Sequence, residues 1–265
     1  MSFIQITDTH FVPGDRLLYG TSPKKRLGAG IELIRRFHTD AEAVLLTGDL
    51  AHHGEEAAYE TLKEALAPLE MPVLLMMGNH DSRAPFRKVF PDAPEIEGGF
   101  IQFSFDVEGA RVICLDSLND EPGDHEGRLC DVRLSWLDRE LGAVPSDKQV
   151  IVAVHHPPFD LGIPPMDRIK LRDGEALFEV LQKRRPDQML FGHVHRPIAG
   201  HWRGIPFYLQ RAFNHQVYLS FEAREEVDFV DENPDIGIVR TSEDGIQIFT
   251  RSVGGEGEPY PHMED

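Results

Sequence analysis

Cysteine is nearly absent from the sequence. Cys114 and Cys130 are the two among 265 residues; they stand in unrelated contexts and form no CxxC pattern. A reducing compartment is the simple expectation, with a single bridge between them as the alternative. Basic charge is scarce as well: Lys and Arg number 27 against 45 Asp and Glu, a net charge of -18. That balance argues against a nucleic-acid polymer or an anionic membrane as the main partner. A small anionic substrate fits it where a metal supplies local positive charge. Long apolar runs and a basic N-terminal region are missing, so the expectation is a cytoplasmic protein with neither signal peptide nor transmembrane helix. There is no internal repeat and no low-complexity linker. What remains, 41% hydrophobic and 27% charged residues, is the balance of an ordinary globular chain of one large domain or two small ones.

The pattern along the chain begins with an apolar strand, Ile4-Gln5-Ile6-Thr7, that runs into Asp8-Thr9-His10. Leu27, Ile31, Ile34 and Phe37 then repeat at helical spacing, residues 43–47 read as a buried strand, and Ala58, Leu62, Ala65, Leu66 and Leu69 mark a second helix. A third strand follows at 72–77. This β-α-β-α-β alternation with near-continuous apolar strands predicts a sheet covered by helices. Residues 100–107 and 110–117 read as a hairpin, 135–141 as a helix, 149–154 as a buried strand, and 188–191 as another. Asp173 is placed to cap the helix that carries Ala176, Leu177, Val180 and Leu181. Short strand-like runs reach about residue 250, and 254–265 reads as a frayed acidic end. The two halves together suggest a sandwich of two sheets with helices outside.

Five strand ends carry Asp, His or Asn: Asp8/His10, Asp49, Asn79/His80/Asp81, His155/His156 and His193/His195. On a strand, Asp8 and His10 point to one face, because side-chain direction has period two. Each pair alone has a plain alternative, since Gly-Asp is commonly a turn, Asn-His a loop cap and His-His-Pro-Pro a rigid connection. Five in succession at the carboxyl ends of strands, where an open α/β sheet places its site, point to a metal centre. Mixed oxygen and nitrogen donors without thiolate suit Fe, Mn, Zn or Co.

The blocks Asp8-Thr9-His10, Gly48-Asp49, Gly78-Asn79-His80-Asp81, His155 and Gly192-His193-Val194-His195 stand in order, and the sequence thereby resembles the calcineurin-like metallophosphoesterases over about residues 1–220. Asp8-Thr9-His10-Phe11, the following Leu18-Tyr19-Gly20, and His155-His156-Pro157-Pro158 with Met166-Asp167 look most like the class III phosphodiesterases. That branch includes bacterial cyclic-nucleotide phosphodiesterases and glycerophosphodiesterases, and the glycerophosphodiesterase side is the one expected here. The resemblance implies an α/β fold, a four-layer α/β/β/α sandwich with two central mixed sheets. It implies a catalytic domain over 1–220, with strands and tail at 221–265 completing the sheet or contributing to oligomerisation. It also implies two divalent or trivalent transition-metal ions per chain, Mn or Fe foremost. Asp8, His10, Asp49 and His195 would hold the first, and Asp49, Asn79, His155 and His193 the second, with Asp49 bridging. An Asn amide is a weak neutral ligand, so the second ion is expected to be held more loosely.

The activity so implied is hydrolysis of small phosphodiesters, cyclic nucleotides or glycerophosphodiesters, by metal-activated hydroxide attack at phosphorus. His80 would stabilise the transition state and protonate the leaving alkoxide, with Asp81 orienting its ring. Asn79, His80 and His215 would face the substrate, and residues 159–167 with Tyr19 and His125 would wall the leaving-group pocket. His156 reads as structural. A phosphomonoesterase or nucleotidase is the first alternative, with Arg83 and Arg196 as the obvious cations for a dianion; a non-catalytic scaffold is the second. Residues 216–229 alternate in strand fashion around the acidic run 222–226 and read either as a hairpin closing the second sheet or as the surface of a homodimer or higher oligomer.

Overall fold

The computed structural model describes residues 2–121 and 123–255. The first half forms β1 (Ser2–Ile6), α1 (Pro23–Phe37), β2 (Val44–Leu46), α2 (Glu56–Leu66), β3 (Val73–Leu75) and α3 (Arg83–Val89). Then follow β4 (Phe103–Val107), β5 (Ala110–Leu115), α4 (Asp131–Ala143), β6 (Gln149–Val154), α5 (Pro164–Asp167), α6 (Gly174–Leu181) and β7 (Gln188–Phe191). The chain closes with β8 (Ile198–Trp202), β9 (Ile205–Leu209), β10 (Gln216–Val217), β11 (Phe229–Val230), β12 (Asp235–Ser242) and β13 (Gly245–Ser252). Two mixed sheets result, in the orders β13-β12-β1-β2-β3 and β4-β5-β6-β7-β9-β8, with β10 and β11 as a separate ribbon.

Strand alternation explains why the sheets stack. Phe3 of β1, Leu45 of β2, Val112 and Cys114 of β5, Ile151 and Ala153 of β6 and Leu190 of β7 share one apolar layer between the sheets. Their neighbours point outward. Ile4, Ile6, Val44 and Leu46 pack under Leu27, Ile31 and Ile34 of α1 and Ala58, Tyr59 and Leu62 of α2. Ile113, Val152, Val154 and Phe191 pack under Leu134, Leu137 and Leu141 of α4 and Leu177 and Leu181 of α6. Strands buried on both faces have no polar side to alternate with, hence their continuous apolar runs. The chain thus adopts the expected four layers. Ser22 caps α1, its hydroxyl accepting from Lys25 N–H at 3.3 Å, and Pro23 opens the helix.

Three local expectations are corrected. The hairpin expected at 216–229 does not close the second sheet: β10 and β11 pair with each other as a separate ribbon, Gln216 opposite Val230, while farther along the chain β12 pairs antiparallel with β1 of the first sheet, Ser2 opposite Arg240 and Gln5 opposite Gly237. Ile236 enters the helix-side core and Val239 the layer between sheets, so β12 fits both faces of the first sheet. Phe37, the last residue of α1, is half exposed beneath the Arg251 guanidinium rather than part of the core. Asp173 stands at the cap position of α6 without capping it. Its backbone is not extended there (φ -89°, ψ 32°), and its carboxylate accepts instead from Leu129 N–H at 2.7 Å. Cys114 and Cys130 are free, the first buried and the second exposed. Among the described residues no helix is long and apolar enough to cross a membrane.

Candidate metal centre

β1, β2 and β3 run parallel in one sheet and β5, β6 and β7 run parallel in the other. Their carboxyl ends open on one edge of the sandwich, and the polar loops meet there. The loop backbone is unusual. Asp8 (φ 53°), His10 (45°), Asp49 (51°), His193 (69°) and His195 (56°) all lie in the left-handed region. Such conformations cost on the order of 1–3 kcal/mol each in residues with a Cβ and persist only where the surroundings dictate them. The cost turns five side chains inward instead of along the strand. Two glycines permit the closeness: a Cβ on Gly78 would overlap Asp49 Oδ1, and one on Gly192 would overlap Thr7 Oγ1.

Asp8, His10, Asp49 and His195 form one buried cluster with donor atoms within 4.8 Å of one another. His10 Nε2 lies 3.1 Å from His195 Nε2 and 3.6 Å from Asp49 Oδ2, and His195 Nε2 lies 3.2 Å from Asp8 Oδ1. Edges of about 3–4 Å are what ligands at about 2.0–2.2 Å from a common ion produce. Beside it, His155 Nε2 lies 3.4 Å from Asp49 Oδ2, while His193 Nδ1 and Asn79 Oδ1 are 2.9 Å apart. Asp49 therefore faces both groups. With its Nδ1 donating to Thr47 C=O at 2.8 Å, His155 turns Nε2 towards Asp49 without a hydrogen bond, and His193 Nε2 is likewise buried without one. A buried orphan nitrogen costs about 1–3 kcal/mol, and a cation beside Asp49 removes the penalty. The residues present fit two metal ions.

The remaining expected residues divide. His80 lines the cavity over the cluster, its N–H donating to Asp49 Oδ1 at 2.9 Å and its Nδ1 2.8 Å from His52 C=O. Asp81 does not orient that ring. Its carboxylate accepts from Gly78, Leu50 and Ala51 N–H at 2.9, 3.2 and 3.0 Å and from the Tyr59 hydroxyl at 3.0 Å. Four donors surround it, so it ties the Gly48-Asp49 loop to the Gly78-Asn79-His80 loop. His215 is buried, not on the surface, its ring 4.8 Å from that of His10 and 4.7 Å from that of His195. Tyr19, His125, Met166 and Ile169 line the same cavity with Val217, Val227 and Phe229. His125 is 3.0 Å from the Asn79 amide. His156 Nδ1 is hydrogen-bonded to the Ser117 hydroxyl at 2.7 Å. Arg83 is clamped on Asp116 and Asp120, and Arg196 on Glu232.

Two residues escaped the sequence reading. Tyr59 sat on the apolar face of a predicted helix, with nothing to show that its hydroxyl would reach Asp81. His52 followed Gly48-Asp49-Leu50-Ala51; the adjacent pair His52-His53 beside a ligand motif was the available signal. Its Nδ1 lies 3.3 Å from His10 Nδ1 and its ring stacks on His80 at 4.9 Å.

Charge in the cluster is unbalanced without ions. Burial lowers the pKa of His155, but Asp49 and Asp8 outweigh it and raise the imidazole to about 9. Burial also opposes ionisation of Asp49, yet His155 and His80 hold its carboxyl well below the usual range. Burial and the Asp49 charge push Asp81 up to about 7. Protonated His155 stabilises the metal-free fold fully below its ordinary pKa of 6.5, and that contribution is lost as pH rises through about 9. Asp81 acts with the same sign, its contribution lost as pH rises through about 7. The histidines that burial lowers, among them His10, His52 and His193, act with the opposite sign, and their contribution is complete above about pH 7.5; the Tm of the metal-free protein is therefore expected to fall between about pH 7.5 and about pH 9, and metal loading near neutrality to release protons. Scanning calorimetry and titration in buffers of different ionisation enthalpy check both; a rising Tm over that range contradicts the assignment.

The sequence model of the Calcineurin-like phosphoesterase family matches residues 1–197. A probable cyclic nucleotide phosphodiesterase of Rhodopseudomonas palustris is 45% identical over 258 residues, 97% of this chain and 94% of that protein. A probable glycerophosphodiester phosphodiesterase of Arcobacter nitrofigilis is 31% identical over 270 residues, 100% of this chain and 98% of its own. Among solved structures, a purple acid phosphatase from yellow lupin superposes with a TM-score of 0.71 at 14% identity, over 98% of this chain and 52% of that one, which supports the fold. With the family model spanning most of its length and both relatives matching nearly end to end, the chain belongs to the calcineurin-like phosphoesterase family.

Proposed function

We propose that this protein is a dinuclear-metal phosphodiesterase acting on small phosphodiesters, cyclic nucleotides or glycerophosphodiesters. The observation that carries the diester reading is the cavity lining. Among the described residues it contains seven histidines, Asp49 and Asn79, but no Lys or Arg. A phosphomonoester dianion needs cations beyond the metal ions, and the two candidates, Arg83 and Arg196, are committed to carboxylates. A diester monoanion does not. The apolar wall of Tyr19, Met166, Ile169, Val217, Val227 and Phe229, with Tyr19 and Phe229 stacked at 4.8 Å, suits a planar base and favours cyclic nucleotides over glycerol esters. The named activities of the two relatives support both substrate classes.

Asp8, His10, Asp49 and His195 would hold one ion and Asp49, Asn79, His155 and His193 the other, Mn or Fe before Zn or Co. When bound, the ions supply Lewis-acid charge at phosphorus and bring the pKa of water towards about 7. The chain does the rest. Asp49 faces both groups and fixes their separation, and its Oδ1 holds the His80 backbone. With His80 Nδ1–H given to the His52 carbonyl, Nε2 is the nitrogen left for the cavity, placed to hold a proton for the leaving-group oxygen. His215, Tyr19 and Phe229 close the apolar side and exclude water.

With Mn²⁺ present, bis(p-nitrophenyl) phosphate is expected to be turned over faster than p-nitrophenyl phosphate, and cyclic AMP or cyclic GMP faster than glycerophosphocholine. A preference for the monoester overturns the reading. His80→Ala is expected to lower kcat by about 10²–10⁴ on poor leaving groups with metal content unchanged, and by less on nitrophenyl esters. An unchanged kcat on a poor leaving group removes His80 from the proton transfer.

We extend the proposal to a cytoplasmic homodimer or higher oligomer. Two free cysteines favour a reducing compartment. Tyr218, Leu219, Phe221 and Phe229 are exposed along 218–229, Phe221 at 71%, and such a patch favours association. Light scattering at micromolar concentration is expected to give at least twice the chain mass of 29.9 kDa; the monomer mass contradicts it.

A further inference from the structure

Three imidazoles at the centre have one nitrogen fixed by a backbone carbonyl. His155 Nδ1 faces Thr47 C=O, His195 Nδ1 faces His215 C=O and His80 Nδ1 faces His52 C=O, each at 2.8 Å. A carbonyl only accepts, so each of these rings carries its proton on Nδ1 and turns Nε2 to the site. His10 is different. Its Nδ1 faces another ring nitrogen, His52 Nδ1, at 3.3 Å. An imidazole nitrogen can donate or accept, and the backbone does not dictate the tautomer here.

The position of the other nitrogen does. His10 Nε2 is turned towards His195 Nε2 at 3.1 Å and Asp49 Oδ2 at 3.6 Å, inside the donor cluster. To offer a lone pair there it must carry its proton on Nδ1, and His52 must then accept on Nδ1 and keep its own proton on Nε2. Packing holds the His52 ring for that task. It is buried, stacks on His80 with planes 16° apart, and meets the Tyr19 ring edge-on at 5.7 Å.

We propose that His52 is a positioning residue for the metal centre: its Nδ1 accepts the His10 Nδ1 proton and locks His10 in the tautomer that presents Nε2 to the first ion, while its carbonyl and ring face set the rotation of His80. The inference rests on the metal-centre reading above. A buried aromatic filler is the competing role, and two variants separate them. His52→Phe keeps the ring and the stacking and removes the acceptor. His52→Asn loses the ring but can set its amide oxygen near the position of Nδ1.

Titration of the metal-free proteins with Mn²⁺, without substrate, is the test. His52→Phe is expected to bind the tighter ion about 10–100-fold more weakly than the wild type, and His52→Asn to restore most of that affinity. Equal affinity in His52→Phe and the wild type overturns the proposal, as does a loss in His52→Asn as large as in His52→Phe. Imidazole ¹⁵N spectra of the wild-type protein loaded with Zn²⁺ provide a check that needs no variant to fold. A proton on His10 Nδ1 and on His52 Nε2 supports the proposal, and a proton on His52 Nδ1 overturns it. Diester turnover by the wild type judges the enzymatic reading separately, so either can fail alone.

Discussion

Asp8 and Asp49 use their carboxylates twice, and the architecture depends on it. Asp8 follows β1 of the first sheet, and both its oxygens accept from His193 N–H in the loop after β7 of the second, at 3.2 and 3.1 Å. Asp49 accepts from His80 N–H through Oδ1 and turns Oδ2 towards His10 and His155. Charge-assisted bonds of this kind are about twice as strong as neutral ones. They close the open edge of the sandwich and, with the same atoms, define where a cation sits. Gln5, buried between the layers, adds a link in the same place, its amide 3.2 Å from Thr47 Oγ1 and 3.3 Å from Phe191 C=O. Fold and site share one set of contacts, which is why the left-handed loop residues persist.

The strands, and the Asp, His and Asn side chains that meet at their ends, were legible because both are local. Apolar runs of four to six residues ending in Asp, His or Asn need no knowledge of the partner strand to be recognised. Placement was not local. β12 lies more than 230 residues from β1, and alternation along residues 236–239 says that both faces are buried without saying in which sheet. Asp81 shows the same limit at the site. A carboxylate next to His80 in sequence looked aimed at its ring, but three backbone N–H groups and a tyrosine hydroxyl drawn from separate segments hold it elsewhere. His52 was obscured for a related reason: its role comes from stacking and from a nitrogen on a different loop.

Charge shows how a chain of net charge -18 can receive an anion. Arginines near the site are neutralised structurally: Arg83, buried, takes Asp116 bidentately and so holds the loop that leads to His125. The cavity presents imidazoles instead, and burial lowers the pKa of most of them, His52 to about 4 and His10 and His193 well below the ordinary value. Neutral imidazoles are ligands, not counter-ions. Positive potential for a phosphodiester is therefore left to whatever cations the cluster holds, and the acidic exterior does not compete with it at close range.

The histidine nitrogens that find no partner carry the argument to stability. His155, His156 and His193 each bury an Nε2 with no hydrogen bond, all in the corner of the second donor group. The three rings pack against one another at centroid distances of 4.5–5.3 Å. An apolar side chain in any of these positions would avoid the desolvation penalty of about 1–3 kcal/mol per orphan. Retaining three such groups beside strained backbone makes sense only if binding energy from another source enters when the chain folds. A cation held by this corner provides it, since anything that binds the native state alone adds to its stability.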